Sequence, residues 1–397
     1  MVYSLLDTDL YKFTTSYAYM KLFPDAKCQF VFKDRNNTPR TEEFLENFKK
    51  AYKKYCEETF LSEEEWRWLM DPDIIPGIPK VYWEWLFGFY YEYDKVNIYL
   101  DENKVLCIEG PFDYAFKASL YEIPSMFLVP EVNNVDKPIA WTEFINDLDN
   151  KIRIAKKNEF TFSEFGTRRR FSQEIQDKVC QYLSSYKDVC SGTSNVYFAK
   201  KYGMKPIGTH PHEWFMFHGA LFGYKSANKL ALENWLNVYN GKFAIGLTDT
   251  YTSLNFFKAF DDHLARAYDG IRQDSGDEYE FIHNAINHYS KLNIDPSSKV
   301  LVFSNALDFN KIPEIHKYCK DHNLKDTYGV GTNLTCDVYS PTGEHYNAEN
   351  IVMKMSCASL NDEDSKHLTV KLSDDYGKHT GDKTEIEHAK YDLELTD

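Results

Sequence analysis

The chain has 397 residues, 43% of them hydrophobic and 16% aromatic, with only 14 Pro and 18 Gly. This composition excludes a disordered or fibrous chain and supplies a core large enough for two domains, or for one barrel with an attached subdomain. With 46 Lys and Arg against 61 Asp and Glu the net charge is −15, which argues against nucleic acid as a partner, because phosphate-backbone affinity comes from clustered cations.

The stretch from Met1 to Phe13 carries Asp7 and Asp9 where a secretory leader needs an unbroken apolar run. No segment approaches the ~20 apolar residues of a membrane span. Eight scattered cysteines without a C-x-x-C pair read as reduced thiols. A cytoplasmic protein with no membrane partner is expected. Residues 1–130 read as an α+β domain: helix-like spacing from Phe44 to Phe60, then a hairpin of Val96 to Leu100 and Val105 to Ile108 turned at Asp101 to Lys104. The Pro124 to Pro130 stretch marks the expected boundary.

From 131 to 345 short strands alternate with helices. Strands are expected at Phe160 to Phe162, Lys205 to Gly208, Phe243 to Thr248, Val300 to Ser304 and Tyr328 to Gly331. Helices are expected at Phe215 to Tyr239, Phe281 to Leu292 and Lys311 to Asn323. The alternation predicts parallel pairing and an irregular, TIM-like α/β barrel, with function at the carboxyl ends of its strands. Residues 346–397 are expected to pack back on the N-terminal domain.

Polar and glycine-rich clusters follow those strands. In Glu164-Phe165-Gly166-Thr167-Arg168-Arg169-Arg170, at least one of Arg168 and Arg169 is expected to face inward toward a phosphate, while Arg170 reads as a solvated basic residue. Gly208-Thr209-His210-Pro211-His212-Glu213-Trp214 puts a histidine at a helix start, a place for a neutral nucleophile or a structural cap. In Arg272-Gln273-Asp274-Ser275-Gly276-Asp277 the arginine suits a carboxylate, and Asp274 and Asp277 suit ribose hydroxyls or hydrated Mg²⁺, although an ordinary Asx turn reads the same way. Gly329-Val330-Gly331-Thr332 offers backbone N–H groups to a phosphate.

Together with Thr8 to Thr14 and Lys371-Leu372-Ser373-Asp374, these strings resemble the nicotinate phosphoribosyltransferase family, six motifs in the family's order. The resemblance implies an irregular α/β barrel with an N-terminal domain, working as a head-to-tail homodimer in which Tyr11 is donated in trans beside the pyridine ring. It implies that His212 is phosphorylated by ATP, that Thr209 and Arg272 contact nicotinate, and that Thr332 contacts phosphoribosyl pyrophosphate, in an ATP-coupled, Mg²⁺-dependent synthesis of nicotinate mononucleotide. It also implies a small or apolar residue at position 210, where this chain has His. The resulting H-x-H pair, His210 and His212, suits a barrel metal-dependent hydrolase as an alternative; a separate alternative is a barrel that binds nucleotides without turning them over.

Overall fold

In the computed structural model, residues 2–375 and 377–395 are described. Met1, Tyr376, Thr396 and Asp397, which belong to the expected segments 1–130 and 346–397, lie outside them.

The N-terminal part contributes four strands, β1 (Lys27–Asp34), β2 (Asn97–Leu100), β3 (Leu106–Glu109) and β4 (Asp113–Tyr114). Burial alternates along β1, whose Cys28, Phe30 and Phe32 face the core as the period of two requires. β2 and β3 form the expected hairpin, with Ile98 opposite Ile108. The helix expected from Phe44 runs over Glu42–Glu58, capped by the Thr41 hydroxyl, which accepts from the Phe44 N–H. Pro124 and Pro130 sit within the helix Glu122–Asn134 and not in a connecting loop.

Six parallel strands follow: β5 (Phe162–Glu164), β6 (Cys190–Thr193), β7 (Ile245–Leu247), β8 (Gly270–Gln273), β9 (Val300–Phe303) and β10 (Lys325–Val330). They form one sheet in the order β6-β5-β10-β9-β8-β7. This is the expected α/β architecture, but its hydrogen bonding is open. Among the described residues no ladder joins β7 to β6, and the strand expected at Lys205 to Gly208 reduces to a single bridge between Thr193 and Pro206. Pro206 has no N–H to extend the pairing. The expected long helix after residue 212 is two helices, His212–Phe222 and Tyr224–Tyr239, broken at Gly223, whose φ of 84° suits glycine.

A short pair, β11 (Val338–Tyr339) and β12 (His345–Tyr346), leads to β13 (Ile351–Ser359) and β14 (His367–Leu368). β13 returns to the first sheet and pairs along the whole of β1, from Lys27 opposite Ser359 to Asp34 opposite Ile351. The first sheet thus runs β14-β13-β1-β3-β2, with β4 also on β1. The helix Leu10–Leu22 is fixed by aromatic packing: the Tyr19 ring lies 5.2 Å from Trp214 and 4.8 Å from Phe217 of the helix His212–Phe222. Truncating such a buried aromatic typically costs about 3–5 kcal/mol. No helix among the described residues is long and apolar enough to cross a membrane.

Candidate active site

The residues after β5, β7, β8 and β10 converge at the carboxyl edge of the parallel sheet. Two adjoining cavities open there. A narrow one of about 50 Å³ is lined by Tyr11, Thr209, His210, His212, Arg272 and Asp274, with Phe30 of β1 and Met353 to Met355 of β13 on the far side. A wider one of about 390 Å³ is lined by Arg168, Arg169, Gly331, Thr332, Ser304 and again Arg272 and Asp274. Phe165 and Arg168 also border both. A Cβ at Gly329 would stand 2.4 Å from the Phe165 ring, so only glycine lets β10 lie against that shared wall.

His212 opens its helix and is buried, its Nδ1 3.0 Å from the Thr250 hydroxyl and its Nε2 3.0 Å from Oδ2 of Asp274. A second carboxylate, Oδ1 of Asp249, lies 3.6 Å from the same Nε2. Burial, aided by the charge of Lys371, pushes the His212 pKa down to about 4, so the ring is neutral near pH 7. Burial alone would raise Asp274, but Arg272 and the His212 hydrogen bond hold its carboxyl well below the usual range. An ionised carboxylate only accepts, so Nε2 carries the proton and Nδ1 accepts from Thr250. Ser304 donates to Oδ1 of Asp274 at 2.6 Å.

Arg272 projects from β8 toward the Thr209 hydroxyl, to which it donates, while its Nε has no partner. Arg168 spans both cavities, its Nε 3.6 Å from Asp9 and its guanidinium 5.8 Å from the Tyr11 ring. Arg169 faces the wide cavity and makes no ion pair among the described residues. These cations give a local positive lining in an acidic protein.

Several expectations need correction. Arg170 is fully buried and not a solvated face: it makes two parallel bonds to Asp7, at 2.7 and 2.9 Å, and its Nε is 3.2 Å from Glu131. Asp277 is exposed and caps the helix Glu278–Lys291 through the Glu280 N–H, apart from Asp274 and from both cavities. His210 does not join His212 in a ligand set; among the described residues the cluster of possible metal ligands is His212, Asp249 and Asp274. Tyr11 of the same chain is among the residues that line the narrow cavity. Gly208 permits this, because a Cβ there would stand 3.2 Å from the Tyr11 N and the Leu10 Cβ.

Other groups were not evident from spacing. Lys12, fully buried, bridges Glu122 and Glu213. Burial raises the Glu213 pKa, Lys12 opposes this only in part, and the neighbouring Glu122 adds to it. Lys371 pairs with Oδ2 of Asp249 at 3.3 Å, which steadies the second carboxylate at His212. Lys354 lines the narrow cavity without an ion-pair partner among the described residues, its pKa pushed down to about 8 by burial and by Lys371. Lys12, Glu213 and Lys371 lie within the motifs that carry the resemblance and Asp249 follows an expected strand, whereas Glu122 and Lys354 had no such signal.

The profile described as the nicotinate phosphoribosyltransferase (NAPRTase) N-terminal domain matches residues 6–130, and that of the nicotinate phosphoribosyltransferase (NAPRTase) family matches residues 160–396. The chain belongs to the nicotinate phosphoribosyltransferase family. It is 39% identical to the nicotinate phosphoribosyltransferase of Chromohalobacter salexigens, over 100% of this chain and 99% of that one. It is also 39% identical to that of Methanococcoides burtonii, over 98% and 97% of the two chains. Among solved structures, nicotinate phosphoribosyltransferase from Porphyromonas gingivalis superposes with a TM-score of 0.95 at 39% identity, covering 99% of this chain and 100% of that chain. The Vibrio cholerae nicotinate phosphoribosyltransferase gives 0.89 at 29% identity, covering 99% and 94%.

Proposed function

We propose that this protein joins nicotinate to 5-phosphoribosyl 1-pyrophosphate, releasing pyrophosphate and nicotinate mononucleotide, in an ATP-coupled reaction. The observation that carries this reading is that Arg272 and Asp274 border both cavities. A flat aromatic ring in the narrow cavity and a phosphorylated sugar in the wide one then meet at one point. Displacement at the anomeric carbon passes through an oxocarbenium-like state, for which positioning and charge neutralisation supply most of the acceleration. Arg272 and Thr209 hold the carboxylate of nicotinate, Tyr11 flanks the ring, and Arg168, Arg169 and the Gly331-Thr332 turn take the phosphates.

His212 stores the energy of ATP. Its Nδ1 attacks the γ-phosphorus, the P–O bond to ADP breaks, and the positive charge left on the ring is held through Nε2–H by Asp274 and Asp249. The phosphorylated ring alters the charge beside both ligands and so shifts their affinities between half-reactions, until water attacks the phosphorus, the N–P bond breaks, and phosphate leaves with His212 neutral again. Mg²⁺ suits the carboxylate oxygens of Asp274, which are hard donors bordering the wide cavity; when bound it supplies charge neutralisation for the departing pyrophosphate. Thr332 and Arg169 orient that end of the donor. A head-to-tail homodimer, with the neighbour's Tyr11 donated beside the pyridine ring, remains part of the proposal.

Incubation with nicotinate, the pyrophosphate donor, Mg²⁺ and ATP tests it. The expected outcome is nicotinate mononucleotide and pyrophosphate in equal amounts, with ATP hydrolysis coupled to their formation. No pyrophosphate release, with or without ATP, would instead leave a nucleotide-binding barrel without turnover.

A further inference from the structure

We propose that His210 is a specificity residue that bonds the carboxylate of the aromatic acid alongside Arg272, an assignment that rests on the function proposed above. His210 lines the narrow cavity yet is 0% exposed, and neither ring nitrogen has a hydrogen-bond partner. Buried polar atoms are ordinarily paired, so two orphan nitrogens on one ring require an explanation. The described residues offer no partner. The nearest rings are Trp235 at 4.4 Å, Tyr268 at 5.6 Å and Phe215 at 5.8 Å. Their polar atoms are used elsewhere: the Trp235 indole N–H donates to the Phe243 carbonyl and the Tyr268 hydroxyl to the Leu232 carbonyl.

These rings pack against the imidazole, and the narrow cavity is the space whose lining His210 shares with Arg272. A second orphan donor, Nε of Arg272, lies in the same lining. Two donors with nothing to bond, one cationic and one neutral, suit the two oxygens of a carboxylate. A neutral imidazole offers one N–H, so it adds a directed bond without adding charge. The apolar walls around it exclude water from that bond and make it stronger.

The test is the steady-state kinetics of His210→Leu, with His210→Asn and His210→Gln as variants that restore a donor. The expected result is a roughly 10- to 100-fold rise in the KM for nicotinate, as for loss of a bond to a charged group, with the KM for the pyrophosphate donor and the thermal midpoint little changed. At least one amide variant should recover part of the loss, which a purely structural histidine would not show. If the leucine variant does not fold, ¹⁵N-histidine labelling of the wild type decides. Nicotinate should then shift the ring-nitrogen signals that are missing from His210→Gln. An unchanged nicotinate KM in a folded His210→Leu, or unmoved His210 signals, overturns the assignment. If the wild type itself does not turn over nicotinate, the proposed function fails and this role fails with it; if it does, only the role of His210 is at stake.

Discussion

Nε2 of His212 stands 3.0 Å from Oδ2 of Asp274, while its Nδ1 meets the Thr250 hydroxyl at the same distance. This arrangement fixes the tautomer and leaves the free lone pair on Nδ1, the atom that attacks ATP in the proposed reaction. His212→Asn should abolish acid-labile incorporation of ³²P from ATP while retaining some ATP-independent synthesis. Asp274→Asn keeps an acceptor but removes the charge, so label incorporation should slow roughly 10- to 100-fold. Label retained at full rate in His212→Asn would move the nucleophile elsewhere.

Arg272 is half-buried, its side chain 12% exposed, and its Nε has no hydrogen-bond partner among the described residues. Removing a desolvated Arg–carboxylate pair costs about 2–3 kcal/mol, so Arg272→Ala should raise the nicotinate KM roughly 30- to 150-fold. Initial-rate kinetics at saturating donor measure this. An unchanged KM refutes the contact.

Asp7 and Arg170 are both 0% exposed and bonded through two oxygens. Asp7→Ala leaves the guanidinium with Glu131 as its remaining carboxylate, and breaking a buried pair typically costs about 3–5 kcal/mol. The thermal midpoint should fall by several degrees. A midpoint unchanged from the wild type would show that the pair adds nothing to stability.

His218 gives a pH signature away from the cavities. Burial pushes its pKa down to about 4, against the bond its Nδ1 makes to the Trp214 carbonyl. A base whose folded pKa lies below its unfolded value of about 6.5 contributes fully above that pH, and the contribution is lost as pH falls. The stability advantage of the wild type over His218→Gln should therefore shrink by about 1.4 kcal/mol per pH unit below 6.5. Urea midpoints of both proteins at pH 7 and pH 5 measure it. An advantage that grows on acidification contradicts the sign.

The four strand-end clusters were legible because glycine turns and charged groups are local in sequence. β5, β7, β9 and β10 lie within a few residues of the expected strands. β6 was not foreseen, since Cys190-Ser191-Gly192-Thr193 lacks the branched apolar run that marks a buried strand, and β8 hides behind its own functional residues. What composition and spacing cannot convey is long-range pairing. Arg170 reads as solvated until Asp7, 163 positions away in sequence, supplies its counter-charge. Lys354 enters the cavity only because β13 crosses back to β1. Tyr11 reaches its own cavity through the close approach at Gly208, a contact no motif encodes.

The measurement that bears most directly on the account is a crystal structure with nicotinate and an unreactive analogue of the sugar pyrophosphate bound together. The ring should lie in the narrow cavity beside Tyr11, its carboxylate on Arg272, with the phosphates against Arg168, Arg169 and Thr332 in the wide one. Either ligand bound outside the cleft shared by Arg272 and Asp274 would contradict it.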